Sequence, residues 1–169
     1  RALQFSGQPL MLPASSSLQH AAGGAFTFSA WLRLDQASGE QVVLARRDGA
    51  HSLLLGLNQG MPFVDIDGQR AVSTQPLNPG QWQHLAFTSE GDKVTLYVNG
   101  RETATLAVAL PAFNTQLAIG ADLPEAGTTH LPFAGAIDEL RLSKVARPAA
   151  LLLADASAQG AESKLVAYG

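Results

Sequence analysis

Apolar and polar residues alternate along most of this chain, the period of two that a half-buried β-strand requires because successive side chains point to opposite faces of a sheet. Phe26, Phe28, Ala30, Leu32 and Leu34 alternate with Thr27, Ser29, Trp31, Arg33 and Asp35, so one apolar face continues through a long strand. Val94, Leu96 and Val98 repeat the pattern against Thr95, Tyr97 and Asn99. Helical periodicity hardly appears. The pattern predicts strands near 2–5, 9–12, 25–35, 40–46, 51–57, 61–67, 69–74, 81–89, 92–99, 101–108, 115–121 and 133–143. Turn signals separate them. Asp67-Gly68 and Asn99-Gly100 suit tight hairpins, in which both central positions need positive φ, while Gly91-Asp92 and Asn78-Pro79-Gly80 suit looser turns.

Many short strands with regular turns predict an all-β fold, a two-sheet antiparallel β-sandwich or jelly roll. Residues 1–145 are expected to form the sandwich. Residues 146–169 are expected to complete the same domain as a short helix, strand or linker; Pro148 followed by Leu151, Leu152 and Leu153 suggests a helix within 146–158. The 169 residues suit one domain, and 46% hydrophobic against 15% charged residues give it enough apolar surface for a real core.

Charge and cysteine content exclude several functions. The net charge is −3 and the basic residues are scattered except for Arg46-Arg47, so no basic stripe exists to neutralise phosphates, and nucleic acid is not an expected partner. Cysteine is absent, which removes disulfides, thiol nucleophiles and Cys-ligated zinc. His20, His51, His84 and His130 lack the spacing of a zinc site, no serine sits in a Gly-x-Ser-x-Gly elbow, and Gly23-Gly24 reads as a loop. No apolar run approaches the roughly 18 residues of a membrane span, so this segment is not expected to insert in a membrane. A first residue of Arg1 suggests a piece of a longer protein.

Asp65 and Asp67 share one face of a strand, and a glycosidase needs a carboxylate pair about 5–9 Å apart. Asp67 before Gly68 is already explained as a turn former. Trp82 and His84 also share a face, and together with Trp31 they read as packing residues rather than a sugar platform. The remaining candidates are loop groups. Arg46, Arg47, Asp48 and His51 cluster in one expected hairpin loop, and Glu125, Thr128, Thr129 and His130 decorate a longer one. They offer donors and acceptors for a glycan or a peptide.

Four motifs stand in fixed order: Phe26-Thr27-Phe28-Ser29-Ala30-Trp31, then Gly80-Gln81-Trp82-Gln83-His84-Leu85-Ala86, Leu96-Tyr97-Val98-Asn99-Gly100 and Gly135-Ala136-Ile137-Asp138-Glu139-Leu140-Arg141. In this order the chain resembles the bacterial laminin-G-like domains of the concanavalin A-like lectin/glucanase superfamily, from Leu3 to about Leu142. The resemblance implies a concanavalin A-like, laminin-G-like sandwich and a non-catalytic binding role, since the E-x-D-x-E run of the superfamily's glucan-cleaving enzymes does not occur here. Many such domains hold a structural calcium. Here the early F-D-G motif is Phe5-Ser6-Gly7, which leaves Asp138 as the candidate calcium ligand, and Asp138-Glu139, facing opposite ways on a strand, do not form a dyad.

The function expected from the resemblance is ligand binding, of a carbohydrate first and a protein second, or adhesion. The domain would be one module of a larger bacterial protein in the periplasm or at the cell surface, with neighbouring domains of the same chain as further partners. An alternative is a structural or sensory interaction domain in the periplasmic part of a membrane protein. The tail Ala161-Glu162-Ser163-Lys164-Leu165-Val166-Ala167-Tyr168-Gly169 resembles the segment that follows laminin-G-like domains in proteins fused to TolQ/ExbB-type proton-channel subunits.

Overall fold

The computed structural model describes residues 2–15, 19, 21–125, 128–148, 151–153 and 166–168; for 124, 125, 128–130 and 166–168 it describes the backbone alone. In chain order the strands are β1 (Leu3–Ser6), β2 (Leu10–Leu12), β3 (Phe26–Leu34), β4 (Glu40–Asp48) and β5 (His51–Asn58). There follow β6 (Met61–Ile66), β7 (Gln69–Val72), β8 (Trp82–Glu90), β9 (Lys93–Val98) and β10 (Arg101–Leu106). The last are β11 (Leu117–Ile119), β12 (Asp122–Glu125), β13 (Thr128–His130), β14 (Ala134–Ser143) and β15 (Val166–Tyr168). One sheet has the order β1-β14-β3-β8-β9-β10, with β15 also pairing β14, and the second has the order β2-β11-β4-β5-β6-β7. All pairings within both sheets are antiparallel except β14 with β15. The fold is a two-sheet jelly-roll sandwich.

The alternation dictates the layering. Phe28, Ala30, Leu32 and Leu34 of β3 and Leu85 and Phe87 of β8 face Leu53, Leu55 and Leu57 of β5 and Val64 and Ile66 of β6 across one continuous core. Phe87 lies between Phe26 and Phe28, with ring centroids at 5.9 and 6.2 Å. Each buried Val, Leu, Ile or Phe side chain contributes about 1.5–3 kcal/mol relative to exposure.

Two bulges correct a strict reading of alternation. In β14 the register against β3 shifts between Asp138 and Arg141, and Glu139 has φ 49°. The extra residue lets Ile137, Leu140 and Leu142 all reach the core although Ile137 and Leu140 lie three apart. The Asp138 carboxylate accepts the N–H of Glu139 at 2.8 Å and fixes the kink, so these neighbours do not simply point to opposite faces. In β4 the shift between Val42 and Leu44 lets both Val43 and Leu44 face inward.

The hairpin dipeptides behave as expected: Asp67 and Gly68 have φ 52° and 86°, and Asn99 and Gly100 have 52° and 79°. Gln59-Gly60, which carries no strong sequence signal, makes the same kind of turn with φ 54° and 80°. All twelve expected strands are present within a few residues of their expected ends. Two further strands, β12 and β13, were not expected, while β15 lies within 146–169, where a short helix, strand or linker was expected.

The segment after β14 lies over the outer face of the first sheet. Thr27 Oγ1 donates to the carbonyl of Val145 at 2.6 Å and accepts from the N–H of Arg147 at 3.0 Å. Leu152 is fully buried against Ala86 and Tyr97. Of the helix expected within 146–158, Leu151–Leu153 are helical, with the N–H groups of Leu151 and Leu152 both on the Pro148 carbonyl, while 149, 150 and 154–158 lie outside the described residues. The described helical residues do not form a span able to cross a membrane.

Candidate functional site

The polar cluster at residues 46–51 is not a loop. β4 runs to Asp48, β5 starts at His51, and only Gly49, at φ 62°, and Ala50 form the turn. Strand alternation therefore divides the cluster. Arg46 follows Leu44 on the inward face and is 2% exposed, its Nε and Nη2 donating to the Thr115 carbonyl at 3.1 and 2.8 Å. Burial pulls its pKa below the ordinary arginine value, more than Asp48 restores it. Arg46 thus corrects the expectation of a solvent-facing donor: it braces the β10–β11 connection.

Arg47 faces the other way and makes a bidentate pair with Asp122, at 3.1 and 2.7 Å. This joins the two sequence clusters, because Asp122 opens the β12–β13 hairpin that carries Glu125, Thr128 and His130. Those three residues are in paired strands rather than a loop, Glu125 opposite Thr128 and Asp122 opposite His130, and their side chains lie outside the described atoms. Asp122 is 7% exposed, so Arg47→Ala leaves a buried carboxylate with weakened compensation. Because Arg47 itself is well exposed, solvent screens the pair, and the expected loss is about 1 kcal/mol. Faster amide exchange confined to 122–125 would identify the hairpin as the part released; uniform exchange across the chain would count against it.

Asp48 opens onto a surface groove of about 380 Å³ lined by Gln19, Ala21, Asp48, Ala112, Phe113, Asn114 and Lys144. Four separate segments meet there: the connection before β3, the end of β4, the connection before β11 and the residue after β14. The Asp48 Oδ2 accepts the Asn114 N–H at 2.9 Å, and Thr115 Oγ1 donates to the Arg47 carbonyl at 2.6 Å. Gly23 donates to the Leu110 carbonyl at 2.9 Å and ties the first segment to the third. The groove thus presents amides, a carboxylate and an ammonium around the buried Phe113 ring. Of the sequence candidates only Asp48 lines it; Gln19, Asn114 and Lys144 were missed, since nothing local in the sequence brings them together.

His51 Nδ1 lies 2.9 Å from Asp67 Oδ2, and the other Asp67 oxygen accepts the Ser52 N–H at 2.8 Å, so this pair closes the ends of two hairpins. Asp65 is held by Arg70 at 3.1 Å and by the N–H of Gly68 at 3.0 Å, and Arg70 also donates to Glu40 at 2.8 Å while stacking 3.7 Å from the Phe63 ring centroid. Burial opposes the Arg70 charge, but the hydrogen bonds and charges of Glu40 and Asp65 outweigh it and raise its pKa above the ordinary value. Asp65 and Asp67 thus have separate structural partners, and the acid facing Asp65 across Arg70 is Glu40.

Trp31 meets His84 edge-on at 5.5 Å, and Arg33 lies 5.3 Å over Trp82. His84 is 2% exposed, and its N–H donates to Asn99 Oδ1 at 2.8 Å. His84 is buried as a packing residue, as expected, whereas Trp31 and Trp82 are half-buried. Calcium calls for about six to eight oxygens and more than one charge. Among the described residues no group of three or more His, Asp or Glu side chains comes together, at Asp138 or elsewhere, and the Asp138 carboxylate is engaged at the bulge.

The architecture is that of the lectin-like β-sandwiches. A family model for laminin-G domains, described as the concanavalin A-like lectin/glucanases superfamily, matches residues 6–151, and the chain belongs to that superfamily. It is similar to pappalysin-1 of Homo sapiens, 29% identical over 98% of the chain, and of Mus musculus, 26% identical over 98%. The chain spans 12% of the length of each. Among solved structures it resembles domain 4 of AbnA, an extracellular arabinanase from Geobacillus stearothermophilus, in complex with arabinotriose. The TM-score is 0.68 with 23% identity, over 90% of this chain and 75% of that one. It also resembles the native heptameric SAP-like pentraxin from Limulus polyphemus, with a TM-score of 0.69 and 13% identity, over 97% of this chain and 85% of that one. At these identities the structural likeness shows the fold.

Proposed function

We propose that this domain is a glycan-binding module of a larger extracytoplasmic protein and that the groove between Asp48 and Lys144 receives the sugar. The observation that carries this reading is the meeting of Gln19, Asp48, Asn114 and Lys144, from four segments, around one groove of about 380 Å³. That volume is within the usual range of ligand sites, and neutral amides beside one acid and one base match the mixed donor and acceptor pattern of sugar hydroxyls. The family and the arabinotriose-bound domain of similar fold agree with a saccharide; the extracellular arabinanase agrees with a location outside the cytoplasm.

The test is a glycan array of the purified domain beside Asn114→Ala and Lys144→Ala variants, run with calcium and with chelator. Each variant is expected to weaken the selected glycan on the order of tenfold, about 1.4 kcal/mol. Binding that survives both variants would move the site away from the groove. A blank array from folded protein would instead favour a protein ligand or a neighbouring domain.

A further inference from the structure

We infer that Arg46 is a positioning residue for the groove, clamping the Phe113–Thr115 segment to the end of β4 so that Phe113 stands as a fixed partition at the groove floor. The role in ligand binding rests on the groove being the binding site; the clamp itself does not.

Arg46 Nε and Nη2 converge on one acceptor, the carbonyl of Thr115, and the guanidinium lies 5.6 Å over the ring of Phe113. The neighbouring residues of β4 hold the same segment: the Arg47 carbonyl accepts Thr115 Oγ1, and Asp48 Oδ2 accepts the Asn114 N–H. Three consecutive residues of a strand thus fasten three consecutive residues of a connection. Beside Phe113 lies a small pocket of about 10 Å³, bounded also by Phe26, Arg46, Leu53, Leu110 and Leu117. Phe113 therefore stands between the open groove and a small gap in the packing.

A buried guanidinium whose two close bonds go to a carbonyl is costly, and an apolar side chain of similar length would fill this position at little loss of stability. What an apolar side chain cannot do is hold the Thr115 carbonyl from two points. The fold tolerates a buried cation here because the connection it fixes forms the groove wall.

The absence of cysteine allows a direct test. Ala112→Cys places a single thiol on the exposed groove wall for a nitroxide label, and Gln69→Cys places a control on β7. In the Arg46→Met background the label at 112 is expected to change from an immobilised to a mobile line shape while the label at 69 does not change. Arg46→Lys, which keeps the charge but donates from one point, is expected to give intermediate mobility and serves if the methionine variant does not fold. Glycan binding on the array should fall on the order of tenfold with Arg46→Met and less with Arg46→Lys. An immobilised label at 112 in the folded variants, accompanied only by a lower melting temperature, would overturn the clamp and make Arg46 an ordinary core element. Where the wild-type array is blank, the label response alone decides the clamp, and only the glycan reading fails.

Discussion

Truncation of Phe87 to alanine is expected to cost about 3–5 kcal/mol, as large aromatic deletions in closed cores do. Phe87 is fully buried in β8, which lies between β3 and β9, so no edge is free to collapse into the space left. Its ring is held between Phe26 and Phe28 on β3, and the opposite sheet supplies Leu53, Leu55 and Val64 to the same core. A single domain commonly has about 5–15 kcal/mol in total, so the loss would consume a large share of it. Urea unfolding checks this: the midpoint should fall with an unchanged slope, and Phe87→Leu, which keeps most of the volume, should fall less. A loss under about 1 kcal/mol would mean that the layer between the sheets is not what holds them together.

The strands were legible because their signal is local. Phe26 to Leu34 alternates without interruption, and the Asp67-Gly68 and Asn99-Gly100 turns supply both positive φ angles from adjacent residues. β12 and β13 were missed because Asp122-Leu123-Pro124-Glu125 and Thr128-Thr129-His130 are too short for a period, and their position depends on Arg47 reaching Asp122 across 75 residues of chain. The bulge at Glu139 was hidden by a motif that looks regular, although Ile137 and Leu142, with opposite parity, already cannot share a face without an inserted residue.

The site was far less legible. Strand parity would have placed Arg46 inward with Leu44, but two adjacent arginines followed by Asp-Gly were read as an exposed turn. Gln19, Asn114 and Lys144 are ordinary polar residues until the jelly-roll connections bring them together. A groove made by the meeting of loops belongs to the topology, and no short window of residues contains it. The order of the four sequence motifs recovered the sheets, whereas the groove depends on the order in which β2, β4, β11 and β14 lie across them.

Gly120→Ala is the second large effect, because two independent constraints meet at that residue. Gly120 has φ 93°, which a side chain rarely adopts, and a Cβ built on its backbone would lie 2.3 Å from Cδ2 and 2.7 Å from Cε2 of Phe5. The Phe5 ring cannot move away cheaply: it is 5% exposed and packs against Phe133 at 6.5 Å between centroids. Nor can the backbone relax, since the Gly120 N–H donates to the Val43 carbonyl at 2.8 Å and its own carbonyl accepts the Phe133 N–H at 2.9 Å. The strain of positive φ and the overpacking together should cost about 2–5 kcal/mol. Gly39→Ala provides the comparison, because Gly39 also has positive φ, 66°, but a Cβ there would meet no atom within 4 Å. It should lose only the backbone part, about 1–2 kcal/mol. The difference between the two variants in urea unfolding isolates the collision with Phe5. Equal losses would show that the ring yields to the methyl group, and that the close packing between β1 and the chain entering the β12–β13 hairpin does not hold that hairpin in place.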